Sequence, residues 1–94
     1  MNAWPTVGVA GARGVVGGVF CSFLAAAGLP AECLRAFGHE EGNTLEYRGA
    51  SVPVHVLTDE NAHELDVLFL AVDAAQSREI MAGPGASVPL VVDN

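Results

Sequence analysis

The stretch that decides the fold is Thr6-Val7-Gly8-Val9-Ala10-Gly11-Ala12-Arg13-Gly14-Val15-Val16-Gly17. Its first five residues form a short, valine-rich apolar run closed by a glycine cluster, which is the pattern of a buried strand. From Val15 the apolar residues Val16, Val19, Phe20, Phe23, Leu24 and Ala27 recur at helical spacing, and Gly28 followed by Pro30 supplies a C-terminal stop. Strand, glycine turn and helix therefore follow one another over residues 6–27. Each glycine of the turn has a physical use. Gly11 permits the tight exit from the strand, Gly14 lets backbone approach a dinucleotide pyrophosphate, and Gly17 lets the helix pack closely on the strand. The helix start at Gly14, Val15 and Val16 adds unpaired N–H groups and a partial positive charge. The spacing is G-x-x-G-x-x-G rather than the commoner G-x-G-x-x-G, so the setting between strand and helix gives the motif its weight. Gly8, inside the strand, reads as a packing feature.

Working outward, residues 33–37 read as a second strand and 38–43 as a polar turn. Residues 44–47 and 52–56 are two short β-type runs separated by Arg48-Gly49-Ala50-Ser51, as in a hairpin. Thr58 or Asp59 can cap a short helix through His63. Residues 67–72 are almost purely apolar, as expected of a strand covered on both faces. A helix over 74–81 ends at Gly83-Pro84-Gly85, and 88–92 is another apolar strand. The alternation predicts an α/β, Rossmann-like domain over 1–94 with a mostly parallel sheet flanked by helices. The chain stops at Asn94 directly after a strand, at the sheet end where ligands of such folds bind, which reads as the cofactor half of something larger.

Composition limits the partners. With 94 residues there is room for one small domain, and folding buries only about two-thirds of the surface of the unfolded chain. A 51% hydrophobic and 16% charged composition places it among globular chains. A net charge of −7 with four basic residues removes the electrostatic footprint that nucleic-acid binding requires. An anionic ligand must then be held by local devices such as helix N-terminal amides. Cys21 and Cys33 form no CxxC and have no His cluster nearby, so they predict neither a metal site nor a disulfide, and both read as small buried residues. The apolar stretch 15–27 is not a secretory signal, because no basic cluster precedes it and glycines interrupt it. Nothing approaches the ~18 consecutive apolar residues of a membrane span, and the cytoplasm is the default.

Residues 9–17, Val-Ala-Gly-Ala-Arg-Gly-Val-Val-Gly, resemble the N-terminal V-G-A-T-G-A-V-G signature of aspartate-semialdehyde dehydrogenases. The similarity continues in register. Leu29-Pro30 precedes the second strand, Gly42-Asn43-Thr44-Leu45 stands where that family has G-K-T-L, Asp66-Val67-Leu68-Phe69 where it has D-I-A-L-F, and Val91-Val92-Asp93-Asn94 where it has V-V-D-N. The resemblance implies an oxidoreductase that reductively dephosphorylates aspartyl phosphate to the semialdehyde with NADPH, in lysine, threonine and methionine synthesis. It also implies a homodimer for the full-length enzyme only. The family's nucleophilic cysteine, its acid/base histidine and its substrate-binding arginines have no counterpart in this chain, so no catalytic residue is predicted and the fragment alone should not turn over.

Carried over position by position, the resemblance makes Gly11, Arg13, Gly14, Val15, Val16, Gly17, His39, Glu40, Ala71 and Asn94 the candidate cofactor-binding residues. The departures fall among them. Arg13 replaces a Thr, and His39 and Glu40 occupy the place of the S-x-R-S element that grips the 2′-phosphate of NADP. A carboxylate there favours a ribose 2′-hydroxyl, and Arg13 can offset the repulsion of a phosphate, so NADP is implied and NAD stays open. Leu70-Ala71-Val72-Asp73 replaces S-A-G-G on the nicotinamide side, making that loop bulkier and more acidic. Plainer readings stand beside these: Arg13 as an exposed turn side chain, His39 as a loop histidine, Glu40 and Glu41 as a solvated turn, His55 and His63 as surface residues without partners, and Trp4 and Phe20 as packing residues. Two other identities are open, a non-catalytic Rossmann-like binding or regulatory module and another acyl-phosphate reductase such as N-acetyl-glutamyl-phosphate reductase.

Overall fold

Val7–Ala10 forms β1, and all four of its residues are buried. That burial follows from its place at the middle of a six-stranded sheet in the computed structural model, which describes residues 3–93. The other strands are β2 (Leu34–Phe37), β3 (Asn43–Tyr47), β4 (Ala50–His55), β5 (Val67–Leu70) and β6 (Leu90–Asp93). They lie in the order β3-β4-β2-β1-β5-β6. Every pairing is parallel except the β3–β4 hairpin at one edge. β1 pairs with β2 on one side and β5 on the other, Val7 standing opposite both Leu34 and Val67. The chain thus reverses direction across the sheet between β1 and β5, and ligands of open α/β sheets bind at that reversal, beyond the carboxyl ends of the strands.

Helices cover both faces, as parallel sheets require. Val7 and Val9 belong to a core with Cys21 of α1 (Val15–Ala27), Leu34, Ala36, Tyr47 and Val54. Ala10 belongs to a second core with Phe37, Leu68 and Leu70, closed by Ala62 of α2 (Asp59–Ala62) and by Leu65 and Val88. The third helix is α3 (Ala74–Ala82). Gly8 is the packing glycine that its position suggested, since a Cβ there would lie 2.9 Å from Leu65 Cδ1 and 3.0 Å from the Phe37 ring. Phe20 packs on Phe69 with ring centroids 5.0 Å apart, and Cys21 and Cys33 are both buried.

Some element limits differ from the sequence reading, each for a local reason. A 3-10 turn at Ala31–Cys33 delays β2 to Leu34. The hairpin turn is only Arg48-Gly49, both at positive φ (50° and 79°) with Tyr47 opposite Ala50, so Ala50 and Ser51 belong to β4. β5 ends at Leu70, which releases residues 71–73 as a loop. The largest difference concerns α1. Val19 and Phe23 fit a helical apolar stripe, yet they are 49% and 70% exposed, and Val15 is 87% exposed, while the buried positions are Gly17 and Cys21. The helix is apolar nearly all round, so periodicity cannot tell which face meets the sheet. Among the described residues no helix is long and apolar enough to cross a membrane.

Tyr47 ties the hairpin to the loop after α1. Its buried hydroxyl donates to the Leu29 carbonyl at 2.7 Å, and burial raises its pKa above the ordinary tyrosine value. The same carbonyl also accepts from Arg48 Nη1 at 3.1 Å. Tyr47→Phe therefore removes one hydrogen bond without orphaning the acceptor, and should cost about 1 kcal/mol. Thermal unfolding should show a midpoint lowered by roughly 4–8 °C. An unchanged midpoint would mean that this bond adds nothing.

Candidate functional site

The glycine turn is built by contacts that leave little choice of residue at two of its three glycines. Gly11 has φ +76°, and a Cβ there would stand 2.3 Å from the Ala71 carbonyl oxygen. Its N–H and that of Ala12 both donate to the Phe37 carbonyl, at 3.0 and 3.1 Å, which anchors the turn to the end of β2. Gly17 lies against the same turn: a Cβ there would stand 2.0 Å from Gly11 O and 2.8 Å from Ala12 Cα. Gly14 differs. Its φ and ψ of −79° and 176° suit any residue, and its nearest neighbour to a hypothetical Cβ is Gly11 O at 3.4 Å. The folded chain does not itself require glycine at 14; what a side chain there would fill is the open space in front of α1.

That space is a cleft of about 560 Å³ at the carboxyl ends of β1, β2 and β5. Three segments supply most of its lining: Gly11, Arg13 and Gly14 of the glycine turn, Gly38, His39 and Glu40 after β2, and Ala71, Val72 and Asp73 after β5, joined by Gln76 of α3, Asn43 of β3 and Val54 of β4. The N-terminus of α1 opens beside it. Gly14 is the N-cap, no side chain caps the helix, and the first turn holds no acidic residue. The first-turn amides are therefore available to an anion, with the helix dipole behind them.

The structure brings six of the candidate residues into this cleft: Gly11, Arg13, Gly14, His39, Glu40 and Ala71. Val15, Val16 and Gly17 do not line it. The two valines project outward at the helix start and can take part only through backbone, while Gly17 is buried against the turn. Asn94 lies outside the described residues. Gly38, Asn43, Val54, Val72, Asp73 and Gln76 also line the cleft and are not among the candidate cofactor-binding residues. A signal existed for two of them, because Asp73 is the N-cap of α3 and accepts from Gln76 N at 2.8 Å, a D-x-x-Q start placed directly after a strand.

Three polar contacts hold the segment after β2. Gln76 Nε2 donates across the cleft to His39 Nε2 at 3.4 Å, so His39 is a wall of the cleft rather than a free loop side chain. Glu41 lies in the exposed turn after β2, as expected, and also acts as a clasp. Its Oε2 accepts from Val56 N at 2.6 Å and its Oε1 from His55 Nδ1 at 2.7 Å, which also gives His55 the partner it was expected to lack. These bonds, the backbone one foremost, lower the Glu41 pKa. A carboxyl lowered in the folded state contributes stability at neutral pH that is lost as pH falls through its folded value. Glu41→Gln should therefore raise hydrogen exchange at the Val56 amide at pH 7, and in the parent chain the same protection should fall only below the ordinary glutamate range. Equal exchange in both proteins would remove Glu41 from this role.

Comparison with known proteins agrees with this fold. The family model described as "Semialdehyde dehydrogenase, NAD binding domain" matches residues 6–94. Among solved structures, aspartate semialdehyde dehydrogenase II of Vibrio cholerae complexed with ASA is similar at 25% identity and TM-score 0.78, over 96% of this chain and 30% of that one. A probable aspartate-semialdehyde dehydrogenase from Pseudomonas aeruginosa has the same fold at TM-score 0.81 and 24% identity, over 96% of this chain and 28% of that one. The chain thus spans less than a third of the length of these structures. The search of curated proteins gave no match.

Proposed function

Because the chain belongs to the semialdehyde dehydrogenase NAD-binding domain family, we propose that it is the cofactor-binding part of an NAD(P)-dependent aspartate-semialdehyde dehydrogenase. The observation that carries this reading is the pairing of a side-chain-free Gly14 with the uncapped N-terminus of α1, both opening on the cleft at the β1–β5 reversal. A pyrophosphate at that point would receive first-turn amides and the helix dipole, and backbone could approach it without a Cβ in the way. Gly11, Arg13, Gly14, Val15 and Val16 would hold the phosphates, with Gly17 keeping α1 close enough to do so. His39 and Glu40 would face the adenosine ribose, and Ala71 and Asn94 the nicotinamide side. The bound dinucleotide supplies the hydride; this domain binds and orients it.

The reductive dephosphorylation of an acyl phosphate belongs, on this reading, to the larger enzyme, acting as a cytoplasmic homodimer. Neither cysteine present here suits an attack on an acyl carbon. Both are buried, and burial raises the Cys21 pKa, which keeps it a thiol rather than the reactive thiolate. Resemblance to the family carries NADP with it, and Arg13, the one arginine among the cleft residues, would meet the pyrophosphate of either dinucleotide. Calorimetric titration of the chain with NADH and with NADPH tests the reading. Saturable binding of at least one is expected, and a folded chain that binds neither overturns it.

A further inference from the structure

The four basic residues of this chain are all arginines, at positions 13, 35, 48 and 78. Three of them stand away from the cofactor cleft. Arg35 Nη1 donates to Glu32 O at 2.7 Å, Arg48 Nη1 donates to Gly28 O at 2.8 Å, and Arg78 lines a separate cleft with Asp93. Of the four, Arg13 alone lines the cofactor cleft, which the carboxylate-bearing residues Glu40 and Asp73 also line. Arg13 also belongs to the glycine turn, at the pyrophosphate end, whereas Glu40 belongs to the turn that follows β2. In folds of this topology the residues after the second parallel strand meet the adenosine ribose.

The backbone after β2 offers a 2′-phosphate no helix N-terminus. The first amide past the strand, Gly38 N, already donates to His55 O at 2.9 Å, and the segment that follows is a turn, not a helix start. Nor is that turn free to swing Glu40 aside at its base, because the adjacent Glu41 is clasped to Val56 N and His55. Resting on the dinucleotide reading above, we infer that this cleft selects a dinucleotide with an unphosphorylated adenosine ribose, with Glu40 as the residue that accepts from a ribose hydroxyl and rejects a 2′-phosphate. A carboxylate accepts from a hydroxyl as a charge-assisted bond, and repels a phosphate dianion in the same place.

Calorimetric titrations with NADH and NADPH test this in the parent chain and in the Glu40→Gln and Arg13→Ala variants, with circular dichroism establishing that each is folded. NADH should bind roughly 10-fold or more tightly than NADPH to the parent. Glu40→Gln should bring the two affinities to within about threefold, by strengthening NADPH and weakening NADH. Arg13→Ala should weaken both alike and leave their ratio unchanged, as expected of a pyrophosphate contact. Equal or tighter binding of NADPH by the parent, a ratio unmoved by Glu40→Gln, or a selective loss of NADPH in Arg13→Ala would each overturn the inference while leaving the cofactor reading intact. Binding of neither dinucleotide by the folded parent overturns the cofactor reading and this inference with it.

Discussion

Gly14→Val is expected to leave the domain folded and to remove dinucleotide binding, by about 100-fold or more. The stability side follows from the backbone. Residue 14 adopts φ −79° and ψ 176°, which valine accepts, and its Cβ would meet nothing closer than Gly11 O at 3.4 Å. The remaining cost is that of a poorer N-cap, about 1 kcal/mol, because the Gly14 carbonyl still accepts from Gly18 N. The binding side follows from where the new methyl groups go, into the space in front of the α1 amides. Displacing a pyrophosphate from two charge-assisted hydrogen bonds of about 1.5 kcal/mol each amounts to roughly 3 kcal/mol, or about two decades in affinity. Titration of the folded variant with the dinucleotide that the parent binds measures this directly. Undiminished affinity would mean that the phosphates do not sit at this helix start.

Three residues along, the opposite result is expected. Gly17→Ala should cost roughly 3–5 kcal/mol of stability, a large part of the 5–15 kcal/mol that holds a domain together. Helix propensity alone predicts the reverse sign, since alanine exceeds glycine by about 1 kcal/mol in a helix interior. Steric contact wins here. The added Cβ would lie 2.0 Å from Gly11 O and 2.8 Å from Ala12 Cα, both backbone atoms, so α1 must move off the turn as a unit. That shift would open the core around Cys21, Val7 and Val9, which packs against the same helix. Thermal unfolding should show a midpoint at least ~12 °C lower, or no cooperative transition at all. A midpoint within a few degrees of the parent would show that the turn relaxes at little cost. Two glycines of one motif thus separate, one serving the fold and the other the ligand.

Residues 6–27 were readable because every local signal in them agrees. A valine run, a turn that only glycine fits at Gly11, a helical apolar spacing and a Gly28 stop all require the same strand-turn-helix order, and the order of later strands and helices requires a parallel sheet. The position of Glu40 and His39 at the end of β2, and of Ala71 at the end of β5, followed from the same reading, because strand ends in such a sheet share one edge.

The chain's own order of residues determined the strand-turn-helix unit, the α/β class, the resemblance to a dehydrogenase family and six residues of the cleft. Only the tertiary structure decided which face of α1 is buried, since a helix apolar nearly all round has a helical spacing but little contrast between its faces, and the choice falls to the close approach at Gly17 and Cys21. It alone joined Glu41 to His55 and Val56, and His39 to Gln76, contacts that depend on β4 lying beside β2 and β5 beside β1. Such contacts bring together residues 14 to 37 positions apart, and local propensity carries no information across that distance.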